Sequence, residues 1–175
     1  MSPLPVHARV LWLAAGGTWA ARSLMVFAHP AYTDPVTTLD WLAVWSFSLA
    51  FVLTALAVVT SPGLTPTSGS RLAALIVAAA SLVAGIANAL EDGFGVSAMF
   101  TVFAVSALIA LYGPFVVAAI VARAARGRLA AWWAAIGLGF LTFPAGGSVI
   151  VLAASLVLVL RPSALGPSPT ATATA

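Results

Sequence analysis

Arg22 is the residue of this chain whose position most needs a chemical reason. It falls inside the apolar run 10–28, six residues before the last residue of that run, Ala28, which precedes His29, so on a helix its Cα lies about 9 Å below that end. An ionisable group at such depth is a candidate for function, with a partner to be named. Glu91 and Asp92 stand at the same outer level on a later run, followed by Asp34 and Asp40. A plainer reading competes and is preferred. An Arg this near an interface reaches headgroups by snorkelling, and an ion pair that merely staples two helices has no further task.

The second focus is Gly85-Ile86-Ala87-Asn88-Ala89-Leu90-Glu91-Asp92-Gly93. On a helix, Ser81, Ala84, Gly85, Asn88, Glu91 and Asp92 share one face, because residues three and four apart are neighbours. Asn88, Glu91 and Asp92 together would offer oxygen ligands to a cation on the outer side. The same residues equally make a packing stripe that ends in a hydrated acidic turn. Packing is preferred, since three oxygen-bearing residues without a fixed loop do not specify a metal.

Other chemistries lack their residues. With no Cys there is no disulfide, thiolate or iron–sulfur site, and with no Lys there is no Schiff base. His7 and His29 flank one helix about 33 Å apart, too far to share a haem iron. No zinc-helix motif, nucleophile elbow or phosphate-cradling glycine loop occurs, and Gly146-Gly147 lacks the Lys and strand that such a loop needs. No catalytic residue, metal or cofactor is therefore expected, and the chain is not read as an enzyme.

The elements that hold these residues are set by charge. Only 6% of the chain is charged and 62% is hydrophobic, against about a quarter charged in a soluble domain. Residues 41–60, 72–90, 96–122 and 129–160 carry no charge at all. The solvent of this chain must be lipid, where helices close their own backbone hydrogen bonds. The expected fold is all-α, a polytopic integral membrane helix bundle forming a single unit over 1–161. Its segments are 10–28, 41–60, 72–90, 96–122, 129–143 and 146–160, and 162–175 is expected to be a disordered Pro, Ser, Thr and Ala tail. Run 10–28 also admits a cleaved signal peptide, a reading that Arg22 and Gly16-Gly17 weaken.

Two prolines shape the later segments. Pro114 inside 96–122 removes a helix donor and predicts a kink. As one helix, 129–160 would reach about 48 Å, against about 30 Å of hydrocarbon. Its middle, Thr142-Phe143-Pro144-Ala145-Gly146-Gly147-Ser148, reads as a turn, so six segments ending in a short hairpin are preferred over five with one kinked helix. The small-residue pairs Gly17/Ala21 and Gly85/Ala89 favour close packing, but in so Ala-rich a chain they are expected by chance.

Arginines set the orientation. With six segments, Arg9, Arg71, Arg123, Arg126, Arg128 and Arg161 fall on one side, and Asp34, Asp40, Glu91 and Asp92 on the other. The Arg side is read as cytoplasmic, with both chain ends there, in a bacterial cytoplasmic membrane. Trp12, Trp132 and Trp133 are expected in the inner interfacial belt and Trp41 in the outer one. The net charge of +3 forms no basic stripe, so no nucleic-acid partner is expected. The partners are the lipid bilayer and another membrane protein or a second copy of the chain. The preferred role is a non-enzymatic accessory or interaction subunit acting through helix packing. The alternative is a small transporter or channel with a polar site of Arg22, Asn88, Glu91 and Asp92.

Overall fold

The computed structural model describes residues 4–28, 35–124 and 126–160. His29, Asp34, Arg161 and the tail 162–175 lie outside the described residues. The chain forms α1 (Val6–Ala28), α2 (Thr38–Val59), α3 (Ser68–Asn88), α4 (Met99–Arg123), α5 (Gly127–Leu141) and α6 (Val149–Leu160). It is a helical membrane bundle: α1, α2, α3 with the turn that extends it, and α4 are each long and apolar enough to cross a bilayer. Helices α5 and α6 are shorter apolar helices, and Phe143–Ala145 forms one helical turn between them. Run 129–160 is thus a hairpin and not a single kinked helix. Pro144 ends the first arm, and Gly146 takes the left-handed φ of +83° that the reversal needs.

Local chemistry fixes where helices start. Thr37 caps α2, its hydroxyl accepting from the Asp40 N–H while the Asp40 carboxylate accepts from the Thr37 N–H. Thr67 and Ser70 make the same reciprocal pair at the start of α3. Each box satisfies two backbone donors that a helix start otherwise leaves open. All six starts differ from the sequence expectation by two to four residues, and two of them have a visible local cause. Helix α1 begins four residues before run 10–28, where the Pro5 carbonyl accepts from Ala8 and Arg9. Helix α4 begins at Met99 because Val96 turns back to donate to the Leu90 carbonyl.

Successive helices pack side by side, and α6 returns to α1, closing a ring. Trp12 donates to the Ser61 hydroxyl and Trp133 to the Leu64 carbonyl. These two bonds place the starts of α1 and α5 and the α2–α3 loop on one face, here the first face. Trp45 packs on Gly93 and Phe94, which sets the start of α2 and the α3–α4 turn on the second face.

Aromatic rings fill the middle of the ring. Trp19 packs on Phe47 and Phe51 of α2, on Phe140 of α5 and on Phe143, and Phe103 of α4 joins through Phe47 and Phe51. Nearer the first face Trp12, Trp132 and Trp133 meet edge to face. These three tryptophans were expected in the lipid interface and are instead buried. The reason is that each indole N–H has an acceptor inside the bundle: Ser61, the Ala154 carbonyl and the Leu64 carbonyl respectively. A partnered indole loses nothing by burial and brings its large apolar surface with it. Trp41 is partly exposed at the second face.

Glycines set how closely the helices approach. A Cβ on Gly16 would stand 2.9 Å from the Leu152 backbone of α6, and one on Gly137 would stand 2.7 Å from the Phe115 ring of α4. Gly113, next to Pro114, presses on Val77 of α3. Pro114 is buried within a helix that runs unbroken from Met99 to Arg123.

Candidate functional site

Helix α1 carries Arg22 to the second-face half of the bundle and buries it, leaving the residue 6% exposed. Its guanidinium carbon lies 5.1 Å from the centre of the Phe47 ring. A cation over an aromatic face is attracted by the ring quadrupole, more strongly where water is excluded. Arg22 thus caps the aromatic filling from above. The neighbouring Ser23 hydroxyl donates to the Phe143 carbonyl, tying α1 to the hairpin turn at the same level.

Asn88 belongs to a different set of contacts. It is 1% exposed, and its Nδ2 donates to the Ser48 hydroxyl at 2.9 Å. Gly85, one turn earlier, lets the two backbones approach: a Cβ there would meet the Ser48 carbonyl oxygen at 2.8 Å. Ser81, Ala84, Gly85 and Asn88 form the buried α2-facing side of α3, as the helical spacing implies.

Glu91 and Asp92 leave that stripe. The chain widens at Ala89–Gly93 into a π-helical turn, in which the Glu91 carbonyl accepts from Phe94 and Gly95. Within this turn it is Gly95, not Gly93, that takes the left-handed conformation, at φ +72°. Glu91 is partly exposed and Asp92 exposed. Both line an open cleft of about 580 Å³ with Pro35, Trp41, Phe94 and Ser97. Of the four polar candidates Arg22 is buried and Asp92 is exposed. Asn88 is turned to α2 instead, which separates it from the acids.

Several other polar groups are spent on the fold, whereas the buried Ser81 hydroxyl has no hydrogen-bond partner among the described residues. Thr54 accepts from the Trp19 indole and donates to the Ala50 carbonyl, and Ser46 and Ser106 bond carbonyls of their own helices. Asp40 is occupied by its capping box. Of the hairpin residues, Pro144 forms its turn, Gly146 makes the reversal and Gly147 donates to the Thr142 carbonyl. A second cleft of about 570 Å³ lies between α3 and α4, lined by Ile76, Ala80, Val83, Val102, Val105 and Ile109. Its walls are mostly apolar, with the hydroxyl residues Thr101 and Ser106 among them, and the Ser106 hydroxyl donates to the Val102 carbonyl of its own helix.

Sequence reasoning marked Gly85 for close packing but missed Gly16, Gly113 and Gly137 as close-approach glycines. Gly17 faces open space, whereas Gly16 beside it carries the α1–α6 contact. Ala15 precedes them and Thr18 follows, and only the helical phase distinguishes the two. A scan of protein-family models, a search of curated proteins and a search of solved structures each found no match to this chain.

Proposed function

We propose that this integral membrane protein is a non-enzymatic accessory or interaction subunit whose work is done by helix packing. The observation that carries the reading is the filled centre of the bundle. Trp19, Phe47, Phe51, Phe103, Phe140 and Phe143 occupy the space between helices that a solute path would need. Transport paths carry polar or ionisable groups near mid-membrane or unwound helices there. Among the described residues, the Thr54 and Ser48 hydroxyls at that depth are bonded to Trp19 and Asn88, the buried Ser81 hydroxyl has no hydrogen-bond partner, and the helix break after Thr142 is filled on its inner side by Phe143 stacked on Phe47. Its partners in this reading are the lipid bilayer and another membrane protein or a second copy.

The Arg distribution supports an orientation with the first face in the cytoplasm of a bacterium, because Arg9, Arg71, Arg123, Arg126 and Arg128 attach to that face while Asp40, Glu91 and Asp92 attach to the other. A second reading, a small transporter or channel, draws on the buried Arg22 beside Phe47 and on the acidic cleft lined by Glu91 and Asp92. It is weakened by the aromatic block directly beneath Arg22 and by the commitment of Asn88 to Ser48.

Gentle extraction of tagged protein from its native membrane, with mass analysis of what stays bound, tests the choice. A stoichiometric partner, or a defined homo-oligomer lacking solute flux, fits the subunit reading. Recovery as a lone monomer that conducts a solute after reconstitution rejects it.

A further inference from the structure

We propose that the α5–α6 hairpin is re-entrant: it enters and leaves the membrane at the first face, and its turn rests at the floor of a water-filled depression open to the second face. This goes beyond the proposed role and does not depend on it.

Length is the first support. Helix α5 has 15 residues and α6 has 12, rising about 22 Å and 18 Å against about 30 Å of hydrocarbon. Helix α1, by contrast, has 23 residues and rises about 34 Å. The start of α5 is fixed at the first face through Trp133 and the Leu64 carbonyl. The missing length must therefore fall at the turn.

Contacts of the turn give its depth. Ser23, bonded to the Phe143 carbonyl, precedes the end of α1 by five residues, about 7.5 Å along the axis. The Phe143 ring stacks on Phe47, with centroids 5.4 Å apart, and Phe47 is nine residues into α2, about 13.5 Å from its start. By both measures the turn stops well short of the second face.

The backbone of the turn supplies an independent support. Pro144 and Ala145 are exposed, and no donor among the described residues reaches their carbonyl oxygens. Adjacent carbonyls are all engaged: Thr142 accepts from Ala145 and Gly147, Phe143 from Gly146 and Ser23, and Gly146 from Val149. Lipid cannot donate a hydrogen bond, so irregular backbone at membrane depth is stable only inside protein or against water. Both residues are exposed, so the bundle does not enclose the turn at this point. Water must reach them, and the two arms of the hairpin close off the first face, so it comes from the second.

The chain has no Cys, so single-cysteine variants report one site each. Full-length Ala145→Cys and Phe94→Cys are reconstituted in vesicles and treated separately with two membrane-impermeant thiol reagents. One is a small charged methanethiosulfonate; the other is a maleimide carrying a polymer too bulky to leave bulk solvent. Phe94→Cys, exposed at the second face, should react with both. Ala145→Cys should react with the small reagent from the Phe94 side only, and lose reaction with the bulky one. Equal reaction with both would place the turn at the surface, making the hairpin a full crossing, and would overturn the proposal. Reaction with neither, while Phe94→Cys and unfolded Ala145→Cys label normally, would place the turn in lipid or protein and overturn it equally.

Discussion

Gly85 of α3 lies so close to Ser48 of α2 that a methyl group added to it would stand 2.8 Å from the Ser48 carbonyl oxygen. Asn88, one turn on, reaches the hydroxyl of the same serine. A small residue brings the two backbones together, and a polar one locks them, a pairing suited to a solvent in which hydrophobic burial does not drive helix association. Because the obstructing atom is backbone, it cannot swing aside. Gly85→Val should therefore lower unfolding stability in detergent by about 1–3 kcal/mol, the usual cost of overpacking. An unchanged melting temperature would mean that the α2–α3 contact is looser than described.

Removing the lock should cost less than wedging the helices apart. Asn88→Ala is expected to lose about 0.6 kcal/mol and at most about 1.7 kcal/mol, the range for hydrogen bonds between membrane helices. The Ser48→Ala, Asn88→Ala double variant should lose less than the sum of the two single losses, because both remove one bond. Strict additivity in that cycle would show that Asn88 does not act through Ser48.

Trp19 separates ring packing from hydrogen bonding. Trp19→Phe keeps an aromatic filling and gives up the bond to Thr54, a loss of about 1 kcal/mol. Trp19→Ala opens a cavity among Phe47, Phe51, Phe140 and Phe143 and should cost about 3–5 kcal/mol. Chemical unfolding in mixed micelles measures both, and similar losses for the two variants would contradict the role given to the ring cluster.

For Arg22 the account expects a structural effect. Arg22→Met keeps much of the apolar stem and removes the charge above Phe47, at a cost of about 1–2 kcal/mol. Arg22→Lys should fail to restore it fully, since a compact ammonium does not stack as a planar guanidinium does. Full rescue by Lys, read from the same unfolding curves, would assign Arg22 a role of charge alone.

The helical membrane fold was legible in the sequence because uncharged runs of spanning length leave the chain no other solvent. The hairpin at Pro144 was legible for a related reason: no single crossing accommodates 32 apolar residues with a Pro-Ala-Gly-Gly break. What could not be read was the inside of the bundle. Trp12, Trp132 and Trp133 have interfacial composition, and only their indole partners, drawn from the α2–α3 loop and α6, explain their burial. The same holds for Asn88. Helical spacing grouped it with Glu91 and Asp92, but the π-helical turn at Ala89–Gly93 carries the acids away to the surface while Asn88 stays against Ser48. Arg22 stood out in the sequence as the ionisable residue inside α1, yet Phe47, the ring its guanidinium lies over, sits 25 positions away with nothing in the sequence to mark it.

The claim on which the proposed role rests is that the axis of the bundle is closed. Flux through vesicles holding the purified protein tests it most directly, using small ions and small neutral solutes across a range of sizes. The account predicts permeation no faster than in protein-free vesicles, both for the natural sequence and for Arg22→Met. Saturable flux in the natural sequence that Arg22→Met abolishes, at undiminished folded yield, would contradict it and establish a path through the aromatic core.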